Sequence, residues 1–178
     1  MSIFPQDCLT ERTYISNVRP ADAGEFASIF NSSFQATIEN ETHGSIFSRP
    51  QEVIDFFAQM NQKHVCFTWD IQNMWECGTF PSVQAYDALH DLIRYVHLKG
   101  GRGEEPKGPM IWKAPLEAAS WPVKEILGAV VRDRASPVIC LNSSHGKSPE
   151  GYDTMEALRH DLAYVQPALE EIEDEPHA

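Results

Sequence analysis

No apolar run in these 178 residues approaches the roughly 20 that a bilayer crossing needs, so no membrane-spanning role is expected. Basic residues are scarce: 14 Lys and Arg stand against 26 Asp and Glu, a net charge of −12. Neutralising phosphates takes a clustered basic surface, so nucleic acid is not an expected partner. The four cysteines, Cys8, Cys66, Cys77 and Cys140, lack the close pairing that structural zinc or a redox dithiol requires, and free thiols are expected. Met1 to Arg12 has neither a basic start nor a continuous apolar segment. No secretory signal is read there, which points to the cytoplasm, and the Asn-X-Ser/Thr triplets at Asn31, Asn40 and Asn142 are expected to stay unmodified.

The chain does have a globular composition, 42% hydrophobic and 22% charged, and a length suited to one domain with its own core. We expect an extension over residues 1–12, a domain over 13–166 and an acidic, solvated tail over 167–178. Within the domain, β-type and helix-type runs alternate, the pattern of βα units with parallel strands. Thr13 to Val18 reads as a possible strand and Ala21 to Phe30 as a helix. Strands are expected at Phe34 to Ile38, His64 to Trp69, Ile93 to Leu98 and Pro137 to Leu141. Between them the helical spacing predicts helices from about Pro50, with Ser48 as cap, and over Pro81 to Leu92 and Trp121 to Arg132. A last helix is expected over Thr154 to Val165. Ile71 to Thr79 reads as a long loop, and the stretch from Gly100 to Pro109 as a glycine-rich loop that is flexible or orders on binding.

In parallel α/β folds, functional groups lie outside the carboxyl ends of the strands. Glu39, Asp70 and His97 all sit near such ends. Each has an ordinary structural explanation by itself: a turn cap, a strand-to-loop acceptor, a hydrogen-bonded core histidine. Together, two carboxylates and an imidazole form a mixed oxygen and nitrogen donor set suited to manganese, zinc, cobalt or iron.

Three segments carry a more specific likeness. Ala36-Thr37-Ile38-Glu39-Asn40-Glu41, Cys66-Phe67-Thr68-Trp69-Asp70-Ile71-Gln72-Asn73 and Ile93-Arg94-Tyr95-Val96-His97-Leu98-Lys99 resemble, in order and separation, successive strand-end motifs of the sugar phosphate isomerase/epimerase family, which has a xylose isomerase-like TIM barrel. The resemblance implies an α/β chain holding about the last four or five βα units of a (β/α)8 barrel. It also implies one divalent cation held by Glu39, Asp70 and His97. In that family the cation polarises a substrate carbonyl and its neighbouring hydroxyl, and a carboxylate, here Glu39, removes the adjacent C–H proton. The implied substrate is a small sugar or polyol derivative. Asn73 stands where the family often has a substrate-contacting histidine. Lys99 and His145 are further candidates for substrate contact.

Two departures follow. The family supplies a fourth ligand and second acid/base carboxylate at the end of its last strand. This chain has Asn142, whose amide oxygen can coordinate a hard cation but cannot exchange protons near neutral pH. Glu41, His43 and His145 are the residues available to take over that role. A complete barrel also needs about 250 residues. A shorter one leaves open sheet edges, to be explained by truncation, by a complementing partner chain or second copy, or by an open sheet that persists alone. Two alternative functions stand beside the isomerase: a non-catalytic remnant or partner subunit, and, last, a zinc-dependent endonuclease of the related DNA-repair barrels, against which the acidic surface counts.

Overall fold

Four short runs rich in β-branched and aromatic residues form a single parallel sheet in the order β1-β2-β3-β4, with helices crossing between successive strands. The computed structural model describes residues 36–42, 47–61, 64–108 and 111–173, with side chains as far as residue 169. Its elements are β1 Ala36–Glu39, α1 Pro50–Met60, β2 Val65–Asp70, α2 Ile71–Glu76, α3 Val83–Leu89, β3 Ile93–Leu98, a 3-10 turn at Leu116–Ala118, α4 Val123–Arg132, β4 Val138–Leu141 and α5 Thr154–Glu173. The expected strand at Thr13 to Val18 and helix at Ala21 to Phe30 lie outside the described residues.

Side chains alternate across each strand, and the two faces differ in chemistry. Phe67 and Trp69 of β2 and Val96 and Leu98 of β3 are buried against Phe56 and Phe57 of α1, Tyr86 and Leu89 of α3 and Ile126 of α4. Edge-on and stacked ring pairs lock this layer, with Phe57 to Phe67 at 6.0 Å and Trp69 to Tyr86 at 6.1 Å. Thr68, Asp70, His97 and Lys99 occupy the other face.

A bulge keeps those faces in phase. Phe67 pairs with Ile93, yet Thr68 pairs with Tyr95, so Arg94 is an extra residue in β3. In a regular strand Ile93 and His97, four residues apart, would lie on one face. With the bulge, Ile93 stays in the core and His97 lands beside Asp70, its register partner.

Several boundaries differ from expectation, each for a local reason. Ile71 to Glu76, expected as part of a loop, is helical because Asp70 caps it, Oδ1 accepting from the Asn73 N–H at 2.9 Å. The cap residue of α1 is Arg49, not Ser48; Ser48 donates through its N–H and hydroxyl to Glu52. The helix expected to Leu92 stops at Leu89, since the Leu92 carbonyl already joins the sheet by accepting from Phe67 N–H at 2.8 Å. The glycine-rich stretch is anchored: Arg102 and Trp112 exchange two backbone hydrogen bonds, and a Cβ on Gly100 would meet the Ala114 carbonyl at 2.0 Å. Helix α5 continues past Val165 and through Pro167 to Glu173, so the first part of the expected tail is helical. Proline removes one hydrogen bond there, but Val165 and Ala168 on either side pack onto the core.

Candidate metal centre

Strands β1, β2 and β3 run parallel, so their carboxyl ends open on one rim. Glu39 is the last residue of β1, Asp70 the last of β2 and His97 the penultimate residue of β3. One donor atom from each of the three lies within 4.8 Å of the others. His97 Nδ1 is 3.0 Å from Glu39 Oε1 and 3.7 Å from Asp70 Oδ2. Donors sharing one cation with bonds of about 2.1 Å sit roughly 3 to 3.5 Å apart, so only small shifts are needed to close them on an ion. The donor set, one imidazole and two carboxylates, fits a divalent cation.

Asp70 is completely buried, which opposes its charge. Contacts with His97 and Lys99 and the Asn73 N–H outweigh that and hold its carboxyl below the ordinary range. Burial likewise opposes a charge on His97. The Asp70 and Glu39 carboxylates overcome it, pushing the imidazole up to about 9. Lys99, also buried, brings Nζ to 2.6 Å from Asp70 Oδ2. This close ion pair is the main contact of Oδ2. The amide nitrogen of Asn73, equally buried, has no hydrogen-bond partner among the described residues. The Asn73 amide is available to a ligand oxygen, while a cation on Asp70 Oδ2 would share that oxygen with the Lys99 ammonium.

Asn40 aligns the rim, a role not foreseen from sequence. Fully buried, it donates from Nδ2 to the Asp70 carbonyl and accepts on Oδ1 from the Asp70 N–H, both at 2.8 Å. This two-way clamp ties the end of β1 to the end of β2 and so sets Glu39 against Asp70. Replacing Asn40 with leucine strands both Asp70 backbone groups, and a loss of about 2 to 4 kcal/mol in urea unfolding is expected. A change below about 0.5 kcal/mol, the ordinary range of a surface substitution, would show that the clamp does not carry this load.

Beyond the rim lies a cavity of about 600 Å³, bordered by Glu41, Trp75, Glu76, Lys107, Ile111 and His145, among others. His145 Nε2 meets Lys99 Nζ at 3.1 Å, which links the cavity to Asp70. Lys99 also lies 3.5 Å from Asn73 Oδ1, so the structure brings Asn73, Lys99 and His145 together beside the three candidate ligands. Asn142 follows β4, where its N–H donates to the Leu98 carbonyl; its Oδ1 accepts from the Cys140 thiol at 3.1 Å. Glu41 turns Oε1 back onto the Thr42 N–H at 2.7 Å, and His43 lies outside the described residues. Gln72 and Glu76 were also not foreseen. The signal for them was the capped helix after Asp70, which puts Gln72 and Glu76, four residues apart, on one side.

This sheet and rim define a partial xylose isomerase-like TIM barrel, and solved structures share that fold. An L-ribulose 3-epimerase matches with a TM-score of 0.63 and 13% identity, over 93% of this chain and 62% of its own. A xylose isomerase-like TIM barrel protein from Mycobacterium smegmatis, in complex with magnesium, matches with a TM-score of 0.63 and 13% identity, over 90% of this chain and 54% of its own. A probable 3-DHS dehydratase from Bacillus anthracis, involved in petrobactin synthesis, matches at 0.55 with 14% identity, over 83% and 53%. The chain therefore spans little more than half the length of the barrels it matches. No family model and no curated protein matches the sequence. No helix among the described residues is long and apolar enough to cross a membrane.

Proposed function

We propose that this chain is a metal-dependent isomerase or epimerase-like protein, or the metal-binding part of one, acting by proton transfer next to a carbonyl of a small sugar or polyol derivative. The convergence of Glu39, Asp70 and His97 on one rim carries this reading. The epimerase named among the fold matches supports it. Glu39, Asp70 and His97 would hold the cation. When bound, it supplies Lewis acidity that makes a C–H beside a carbonyl more acidic. Glu39, the least buried of the three, removes that proton and returns one. Asn73 and Lys99 orient the substrate oxygens, through the free amide N–H groups of the one and the ammonium of the other. The buried Trp75 ring, which borders the cavity, limits water on that side of the site.

A second reading, a remnant or partner subunit without turnover, is favoured by one observation: Asn142 stands where proton exchange would need a carboxylate. The two separate in deuterated water. Manganese-loaded protein incubated with a panel of ketopentoses and ketohexoses is expected to exchange one carbon-bound proton for deuterium, read by NMR, and Glu39→Gln is expected to abolish it. Folded protein that binds neither manganese nor zinc at micromolar concentration would eliminate the enzyme reading.

A further inference from the structure

We infer that His145 is the second proton-transfer group of this site, oriented by Glu76 as a positioning residue. The inference rests on the isomerase reading above. It begins from a gap, because the amide of Asn142 cannot give or take a proton near neutral pH.

His145 is far more firmly placed than an ordinary loop histidine. Gln72, completely buried, clasps its backbone: Oε1 accepts from the His145 N–H at 2.8 Å, and Nε2 lies 3.4 Å from both the His145 carbonyl and the Ser144 hydroxyl. On the other side Gly146 presses on the Ile111 backbone, where a Cβ would come within 1.8 Å of the carbonyl oxygen. Lys147 closes the turn, donating to the Ile111 carbonyl at 3.0 Å and accepting from Lys113 N–H at 2.8 Å. Gly146 has a φ of +102°, which a side chain would resist. The backbone of this loop is thus fixed on two sides, while the His145 ring remains 43% exposed and borders the cavity.

The ring's two nitrogens have different neighbours. Nε2 faces the Lys99 ammonium at 3.1 Å, and Nδ1 faces Glu76 Oε1 at 3.7 Å. An ammonium has no lone pair, so Nε2 must be the acceptor of that contact. The neutral ring's proton therefore sits on Nδ1, toward the Glu76 carboxylate, and the basic lone pair points toward Lys99 and the candidate metal centre. A substrate oxygen that takes over the Lys99 hydrogen bond would leave this lone pair facing the substrate.

The proton balance is complete without any further reagent. The Glu39 carboxylate takes the proton from the carbon of the starting sugar, and the C–H electron pair moves to form the enediolate. The His145 imidazolium then delivers a proton to the opposite face of that carbon, leaving a neutral imidazole and a protonated Glu39. Solvent restores both, and the reverse direction exchanges the two roles.

The test compares manganese-loaded wild type with His145→Gln, each incubated with the ketose that exchanges, and follows deuterium wash-in and epimer formation separately. Wash-in into the starting sugar through Glu39 is expected to persist in His145→Gln, while epimer formation falls at least a hundredfold. Manganese affinity is expected to stay within about threefold, since His145 is not a ligand. In metal-free protein, imidazole 15N shifts are expected to show the Nδ1–H tautomer at His145, with Glu76→Gln reducing its share. Epimer formation by His145→Gln within threefold of wild type, or an Nε2–H tautomer in wild type, would overturn the assignment while leaving the isomerase reading intact. Absence of exchange in wild type would instead remove that reading, and this inference with it.

Discussion

Replacing His97 with alanine is expected to weaken manganese binding by at least about a hundredfold, the upper end of what even outer partners of a metal site contribute. The geometry explains why. His97 Nδ1 lies between the Glu39 and Asp70 oxygens, so its loss removes the one nitrogen donor and the group that holds two carboxylates together. Removing one member of a buried charged cluster also costs roughly 3 to 5 kcal/mol, so His97→Ala is expected to melt at lower temperature. Glu39→Gln gives the independent check: Glu39 is the most exposed of the three, and the amide keeps its shape. Its affinity loss is expected without a comparable loss of stability. Calorimetric titration with manganese, alongside circular dichroism melts, reads both. Wild-type affinity in either folded variant would mean that the three side chains do not share an ion.

Manganese binding is also expected to strengthen about a hundredfold between pH 6 and pH 8. The His97 proton must leave before its nitrogen can coordinate, and that proton is held up to a pH of about 9 by the Asp70 and Glu39 carboxylates. Displacing one proton changes the apparent affinity about tenfold per pH unit below that point. The stability of metal-free protein runs the other way. His97 binds its proton more tightly folded than unfolded, where its ordinary value is 6.5. Its stabilising contribution is therefore full below about pH 6.5 and lost as the pH rises through about 9, a change on the order of 3 kcal/mol. Thermal melts in chelator should fall over that window, while melts in excess manganese should hold or rise. An affinity that is flat from pH 6 to pH 8 would show that no proton on His97 competes with the metal.

Much of this was legible in the residues because period-2 patterning and strand-end polarity are local signals. Ile93 to Leu98 reads as a strand in the sequence and is one in the structure, with identical bounds. Glu39, Asp70 and His97 were legible as strand-end residues because each terminates or nearly terminates an apolar run. The capping role of Asp70 was not separated from its role as a candidate ligand, so the helix it starts was read as loop. Asn40 was hidden for a different reason. An asparagine in a polar cluster is an ordinary loop residue until the strand 30 positions later lies beside it.

The residue order by itself determined the alternation of strands and helices, the parallel sheet it implies, and the kind of donor atom placed at each strand end. Tertiary structure alone decided which of those donors meet. The extra residue in β3 brings His97 onto the face of Asp70, because shifting a strand's pairing by one residue exchanges its two faces. The Asn40 clamp sets the end of β1 against that of β2, and the Gln72 clasp brings His145 from 46 residues beyond Lys99 to within 3.1 Å of its ammonium. Long-range register and side-chain clamps of this kind leave no periodic trace in sequence, since they depend on where separate segments come to rest.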